Sequence, residues 1–291
     1  MLLRSQFRPL NEDITMIQKN RDRGIPTFAN INLLGECNAA CYFCIGKDLA
    51  IELKGKNQLD THFSRWKNFI EFLDMCKKKG VENLYFTGQT ADGLQYKYLG
   101  RAVTFLQGLG FKVGVRTNGF LAEEKMPIIQ GMQGGVGYSI HSLSPETNFK
   151  IMGSYIQPDW DTVIPQSGKN VRISIVLGKY NIGEFFDLVE YISKFNNVRY
   201  IQVRRISTDT RLDELSEDIK IYEEFYEEFQ QAYPKYGDFY LAQQHRLFDK
   251  EVNFWRTIET SANSLNYFTD GTISDEYFIV EGYLKNMEKS L

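Results

Sequence analysis

The chain has 291 residues with 34 basic and 37 acidic side chains, a formal charge of −3. That length can bury one large core, and the near balance of charge offers nothing in favour of a nucleic-acid or anionic-membrane partner. No apolar run is long enough to span a bilayer, and the start, Met1-Leu2-Leu3-Arg4-Ser5-Gln6, lacks the apolar stretch of a signal peptide, so a cytoplasmic location is expected.

In chain order, short apolar strands alternate with amphipathic helices. A strand over Phe28 to Leu34 leads into a cysteine-containing loop. A helix follows across Phe63 to Lys79, with Trp66, Phe69, Ile70 and Leu73 at helical spacing and Gly80 as a stop. Strands are then expected at Asn83 to Phe86, Phe111 to Arg116, Val136 to His141, Val171 to Leu177 and Tyr200 to Ile206. Helices fall over Tyr96 to Leu109, Glu123 to Gln130, Pro145 to Met152 and Ile182 to Phe195. Six strands separated by helices imply parallel pairing through right-handed crossovers, hence an α/β barrel or part of one. Chemistry in such folds gathers at the C-terminal ends of the strands.

Three of the four cysteines lie in one such loop, Cys37-Asn38-Ala39-Ala40-Cys41-Tyr42-Phe43-Cys44. Four thiolates close a 4Fe–4S cluster, whereas three leave one iron open to another ligand. A structural zinc site wants two pairs of Cys or His ligands. The other candidates, Cys76, His62, His141 and His245, are all single. A disulfide framework belongs to short secreted chains. The strand ends that follow carry Phe86-Thr87-Gly88-Gln89-Thr90, Arg116-Thr117-Asn118-Gly119, Tyr138-Ser139-Ile140-His141-Ser142 and Ile151-Met152-Gly153. The next strand is Arg172-Ile173-Ser174-Ile175-Val176-Leu177-Gly178, followed by Asn181-Ile182-Gly183-Glu184. Each is weak alone. In this order behind the triplet they resemble the core of radical S-adenosylmethionine (radical SAM) enzymes, over roughly Phe28 to Ser207.

That resemblance implies a partial (β/α)6 barrel of the radical SAM type with a C-terminal helix and hairpin extension. Residues 1–27 would form an N-terminal extension, 28–207 the core, and 208–291 an extension closing the barrel. Cys37, Cys41 and Cys44 would hold a 4Fe–4S cluster, and the backbone beside Phe43 would meet the adenine of SAM. Thr87, Gly88 and Gln89 match the glycine-rich segment that meets the SAM amino group. Here the chain departs from the usual two glycines and a glutamate, and Gln89 offers an amide oxygen without charge assistance. Asn118 and Ser139 fall where family members touch the methionyl or ribose part, and Arg204 or Arg205 would meet the SAM carboxylate, with a solvated surface pair as the plainer reading. The implied chemistry is one-electron reduction by a flavodoxin or ferredoxin, cleavage of SAM and hydrogen abstraction by a 5′-deoxyadenosyl radical.

Cys76 continues the apolar stripe of the helix that carries it, so a buried structural thiol is expected rather than a hydrogen donor. Ile219 to Tyr236 reads as an amphipathic helix, with Tyr222, Phe225, Tyr226 and Phe229 opposite Glu223, Glu224, Glu227 and Glu228. Asn266 to Tyr283 alternates around a hairpin signal at Asp270-Gly271. It offers Asp270, Asp275 or Glu281 to a substrate site, with an exposed hairpin as the plainer reading. No cysteine after Cys76 is present for an auxiliary cluster. The expected substrate is therefore a small polar metabolite: a sugar, nucleoside or amino-acid derivative. A peptide- or tRNA-modifying enzyme and a non-catalytic cluster- or nucleotide-binding scaffold stand as alternatives.

Overall fold

The computed structural model describes residues 28–88, 90–208, 210–239, 242–255 and 264–274. The strands are β1 (Phe28–Leu33), β2 (Asn83–Gly88), β3 (Lys112–Thr117), β4 (Gly135–Ser139), β5 (Val171–Val176), β6 (Val198–Arg204), β7 (Gly237–Phe239), β8 (Ala242–Leu247), β9 (Lys250–Trp255), β10 (Ser264–Phe268) and β11 (Ile273–Ser274). The helices are α1 (Phe69–Lys78), α2 (Leu99–Gly108), α3 (Met126–Gln130), α4 (Pro145–Met152), α5 (Trp160–Gln166), α6 (Phe185–Ser193) and α7 (Leu212–Ala232). One sheet runs in the order β11-β10-β1-β2-β3-β4-β5-β6-β9-β8-β7.

From β1 to β6 every neighbour is parallel, as expected for strands joined through helices. The C-terminal third adds more than an extension over the barrel. β9 pairs parallel to β6 and β10 parallel to β1, so both edges of the core are prolonged in the same direction. Among the described residues the antiparallel pairs are β7–β8, β8–β9 and β10–β11. The Asp270-Gly271 turn does join β10 to β11, but β10 is buried at every residue rather than exposed. Asp270 is held by Lys56 at 3.0 Å. Asp275, Glu281 and residues 1–27 lie outside the described residues.

The sheet has two unlike faces, and this decides where the site lies. On β1, Ala29, Ile31 and Leu33 join the apolar core that also takes Phe69, Phe72 and Leu73 of α1. The alternate residues Asn30 and Asn32 point to the other face. The same alternation sends Ile173 and Ile175 of β5 into the core while Arg172 and Ser174 are half-buried opposite. Parallel strands covered by apolar layers on both sides read as unbroken apolar runs. Alternation here marks a polar lumen.

Several element limits differ from the sequence reading for local reasons. The expected helix over Phe63 to Lys79 is broken, because Asn68 adopts a left-handed conformation (φ 58°) and α1 starts only after it. Ile70 is 62 % exposed, and the buried stripe is instead Phe69, Phe72, Leu73 and Cys76. Cys76 sits in that core as a buried thiol. The β8–β9 hairpin escaped detection because its turn is Phe248-Asp249, both at positive φ (46° and 60°), where sequence rules look for Asn-Gly or Asp-Gly. In α7, Tyr222, Tyr226 and Phe229 are buried as its pattern implies.

Candidate functional site

The cysteine loop leaves the C-terminal end of β1 and is pinned on both sides. Ala40 donates its N–H to the Met152 carbonyl at 2.8 Å, and Tyr42 donates to Ile151 at 3.1 Å, so the loop is laced to the end of α4. Gly153 caps α4 at φ 72°, and a Cβ there would lie 2.9 Å from the Ala40 Cβ. From the other side, Arg211 donates to the carbonyls of Tyr42 (2.9 Å) and Cys44 (2.8 Å) and to Asp48 Oδ1 (2.7 Å). The Tyr42 hydroxyl donates to the buried Asp218 at 2.7 Å. This contact needs a glycine at 178, where a Cβ would sit 2.5 Å from Asp218 Oδ1 and 2.8 Å from the hydroxyl.

Burial pushes Cys37 up to about 11 and Cys41 up to about 12; the neighbouring Asp92 and Cys44 add to the rise at Cys37, and Cys44 and Cys37 add to it at Cys41. Mutual repulsion of this kind is what a bound cation reverses. Cys37 is exposed as a residue, yet its sulfur accepts from the Ala39 N–H at 3.4 Å and from Asn118 Nδ2 at 3.8 Å.

Behind Cys37 stands a brace built from the ends of β2 and β3. Gly88 makes a turn that only glycine allows, since a Cβ would lie 1.4 Å from the Ala91 carbonyl oxygen. The turn delivers Asp92 into the core, where it accepts from Asn118 N (2.6 Å), Thr117 Oγ1 (2.7 Å) and Leu94 N (2.9 Å). Burial raises the Asp92 carboxyl, and these three bonds oppose the rise. Asn118 then donates to Asn38 Oδ1 at 2.7 Å, while Gln95 accepts from Asn38 N and donates to the Glu36 carbonyl.

Opposite the brace, the Phe43 ring meets the His141 ring edge-on at 5.1 Å. His141 is buried, which pushes its pKa down to about 4, and its Nδ1 accepts from Val176 N at 3.1 Å. The proton of the neutral ring therefore sits on Nε2. Asn181 ties the two strand ends together, donating to the carbonyls of His141 and Val176 at 2.9 Å each.

Below this rim the lumen is lined by polar side chains in register. Ser139, Ser174, Gln202 and Asn253 form one row across β4, β5, β6 and β9, and Arg116, Gly137, Arg172 and Tyr200 form the row beneath it. On the β1 side, Asn30 donates to Asn266 Oδ1 at 2.8 Å. The oxygens Asn30 Oδ1, Asn32 Oδ1 and Asn253 Oδ1 are buried and have no hydrogen-bond partner among the described residues.

A family model described as the radical SAM superfamily matches residues 31–192. The chain belongs to the radical SAM superfamily. Family members use a 4Fe–4S cluster and SAM, and this chain is a radical SAM enzyme in fold and cofactor class. It is 22 % identical over 232 residues, 78 % of each chain, to an S-adenosylmethionine-dependent nucleotide dehydratase of Thermoplasmatales archaeon (strain ISO4-H5). Its fold is similar to Streptococcus suis SuiB bound to the precursor peptide SuiA, with a TM-score of 0.60 at 16 % identity, over 96 % of this chain and 67 % of that one. SuiB bound to S-adenosylmethionine gives a TM-score of 0.56 at 16 % identity, and there the chain covers 94 % of itself and 65 % of the other. Among the described residues no helix is long and apolar enough to cross a membrane.

The expected radical SAM positions do not all behave alike. Cys37, Cys41, Cys44, Phe43, Thr87, Gly88 and Ser139 all stand at the C-terminal ends of β1, β2 and β4 or in the loop that follows. Asn118 stands there too, but its amide is engaged by Asn38 and Cys37. The two arginines part company. Arg204 occupies the same alternate positions of β6 as Tyr200 and Gln202, whereas Arg205 turns to α7 and pairs with Glu223 at 2.8 Å. Gln89 lies outside the described residues. Arg211, Asp92 and Gln95 have nothing local in their sequence to mark them, and His141, marked only by its strand-end motif, had no role assigned. Their roles come from partners far along the chain.

Proposed function

We propose that this radical SAM enzyme abstracts hydrogen from a small polar metabolite held in the lumen, of the nucleoside or nucleotide class. The observation that carries the reading is the set of buried, unpartnered amide oxygens of Asn30, Asn32 and Asn253. A buried carbonyl oxygen without a partner costs on the order of 1–3 kcal/mol. A ligand rich in hydroxyl and amino donors relieves that cost, and a ribose with its base is such a ligand. The nucleotide dehydratase relative supports the same class.

The donor set of the loop fits a cluster. Neighbouring thiols raise Cys37 and Cys41 further than burial alone, and N–H groups of Ala39 and Asn118 are directed at the Cys37 sulfur, as hydrogen bonds to thiolate sulfur tune such centres. In this reading Cys37, Cys41 and Cys44 hold the cluster, and Thr87, Gly88, Gln89, Ser139 and Arg204 surround SAM. When bound, the two cofactors supply a one-electron cleavage of SAM and a 5′-deoxyadenosyl radical. The chain's own work is placement. Arg211, Tyr42 and the end of α4 fix the loop, Asp92 fixes Asn118 beside Cys37 while Gln95 fixes the Asn38 backbone to whose side chain Asn118 donates, and the lumen rows orient the substrate and exclude water. A flavodoxin or ferredoxin in a reducing compartment such as the cytoplasm supplies the electron.

The test is anaerobic turnover of reconstituted protein with SAM and a chemical reductant, offering nucleosides, nucleotides, sugars and amino acids in turn. A nucleoside or nucleotide should stimulate 5′-deoxyadenosine formation, and deuterium on its ribose should appear in that product. Stimulation only by a peptide or tRNA would place the chain with a macromolecule-modifying class instead. SAM binding without any cleavage would leave a scaffold.

A further inference from the structure

The radical SAM resemblance places Asn118 among the residues that touch SAM, yet each polar atom of its side chain is engaged within the chain. Its Oδ1 accepts from the Phe120 N–H at 3.0 Å. A backbone N–H can only donate, so the amide is fixed with its oxygen on Phe120 and its nitrogen towards the cysteine loop. That nitrogen carries two hydrogens and has two acceptors, Asn38 Oδ1 at 2.7 Å and Cys37 Sγ at 3.8 Å. Asn118 is 7 % exposed, so water does not compete for them.

One turn holds both the donor and the sulfur. Asp92 accepts from the Asn118 N–H at 2.6 Å and from the Thr117 hydroxyl at 2.7 Å, which fixes the end of β3. Gln95 closes a capping box with Asp92 and also grips the two neighbours of Cys37. Its Oε1 accepts from Asn38 N at 3.3 Å, and its Nε2 donates to the Glu36 carbonyl at 3.0 Å. Between Asp92 and Gln95, Gly93 lies so close to β3 that a Cβ would meet the Arg116 carbonyl oxygen and Val115 Cγ2 at 2.6 Å each. The distance from the Asn118 amide to the Cys37 sulfur is therefore set by a packed, hydrogen-bonded frame.

A hydrogen bond donated to a cysteine sulfur withdraws charge from it. The reduced form of an iron–sulfur cluster carries one more negative charge than the oxidised form, so such a bond favours the reduced form and raises the potential. Cys37 receives two donors of this kind, the Ala39 N–H at 3.4 Å and the Asn118 amide. The first comes with any residue except proline at position 39. The second depends on the side chain at position 118.

We propose that Asn118 tunes the cluster, donating to the Cys37 sulfur and raising the potential at which the cluster takes its electron, with Asp92 and Gln95 as positioning residues. This rests on the reading in which Cys37, Cys41 and Cys44 hold a 4Fe–4S cluster. It takes Asn118 out of the SAM site.

An EPR-monitored potentiometric titration of the reconstituted full chain without SAM tests it, paired with a SAM titration of the same samples. Asn118→Leu, of similar size and without a donor, should move the midpoint to a more negative value. At the potential that half-reduces wild type, its ratio of reduced to oxidised cluster should fall about threefold or more. Asn118→Asp sets a carboxylate oxygen against the sulfur and should move the midpoint further in the same direction. Asn118→Ser keeps a hydroxyl oxygen for the Phe120 N–H but cannot reach Cys37. It should match Asn118→Leu and covers the case in which the leucine variant misfolds. Gln95→Leu, which frees Glu36 and Asn38, should give a smaller shift of the same sign. SAM affinity in Asn118→Leu and Asn118→Ser should stay within about threefold of wild type. An unchanged midpoint in both variants, with the cluster fully assembled, overturns the proposal. If that unchanged midpoint comes with SAM binding weakened about tenfold, Asn118 belongs to the SAM site and the cluster assignment survives. A wild-type chain that takes up no iron–sulfur cluster overturns the cluster assignment and this inference with it.

Discussion

Arg211 donates to the Cys44 carbonyl at 2.8 Å, joining the first residue before α7 to the last cysteine of the loop, 167 residues earlier. The same guanidinium reaches Tyr42 O and a carboxylate, Asp48, whose side chain is fully buried while that of Arg211 is 15 % exposed. One side chain thus satisfies two loop carbonyls and neutralises a buried charge. Arg211→Ala should cost about 3 kcal/mol, since it takes the guanidinium away from the buried Asp48 carboxylate and frees the loop. Urea unfolding should read that loss, and iron retained after reconstitution should fall well below wild type. Arg211→Lys keeps the charge without the fork and should recover only part of the iron.

Cluster assembly should follow the three loop cysteines alone. Reconstituted protein should hold about four irons per chain, with the broad absorbance near ~400 nm of such clusters. Cys37→Ala, Cys41→Ala and Cys44→Ala should each abolish it. Cys76→Ala should keep the absorbance and lose only about 1–2 kcal/mol of stability, because Cys76 is a core thiol of α1. Stoichiometric zinc in place of iron, or loss of the chromophore in Cys76→Ala, contradicts this assignment.

Gly88 should tolerate no side chain. A Cβ 1.4 Å from the Ala91 carbonyl oxygen cannot be absorbed by a rotamer change, because the obstacle is backbone. Gly88→Ala should therefore reopen the turn that delivers Asp92. A stability loss of at least about 3 kcal/mol is expected, together with loss of the SAM-dependent change in the cluster EPR signal. A thermal melt within a few degrees of wild type would show the turn to be more yielding than its geometry indicates.

Acid should destabilise the protein partly through His141. Burial lowers its pKa to about 4, from 6.5. Between those values the unfolded chain binds a proton that the folded one does not, so stability falls as pH drops through this window. The loss approaches about 1.4 kcal/mol for each pH unit and reaches about 3 kcal/mol in all. His245, also lowered by burial, acts in the same direction. His141→Gln, whose amide oxygen can still accept from Val176 N, should flatten the dependence of urea stability on pH between 6.5 and 4. An unchanged slope would mean that His141 gains its proton without unfolding the rim.

The cysteine spacing, the alternation of strands and helices and the order of the strand-end motifs were all legible in the chain. Each is local, carried by neighbours along the backbone, and together they suffice for the family, its two cofactors and the parallel core from β1 to β6. What the tertiary structure alone decided depends on register and on contacts between distant segments. β10 lies beside β1 through pairs such as Asn30 and Asn266, 236 residues apart. No local pattern encodes that choice of neighbour. Arg204 and Arg205 are adjacent in sequence, and only the strand's placement turns one to the lumen side and the other to Glu223. Arg116 and Arg172 read from sequence as two unrelated strand residues. Both come to lie over the Tyr85 ring, Arg172 by crossing the glycine that separates them in register, and register exists only once the sheet has formed.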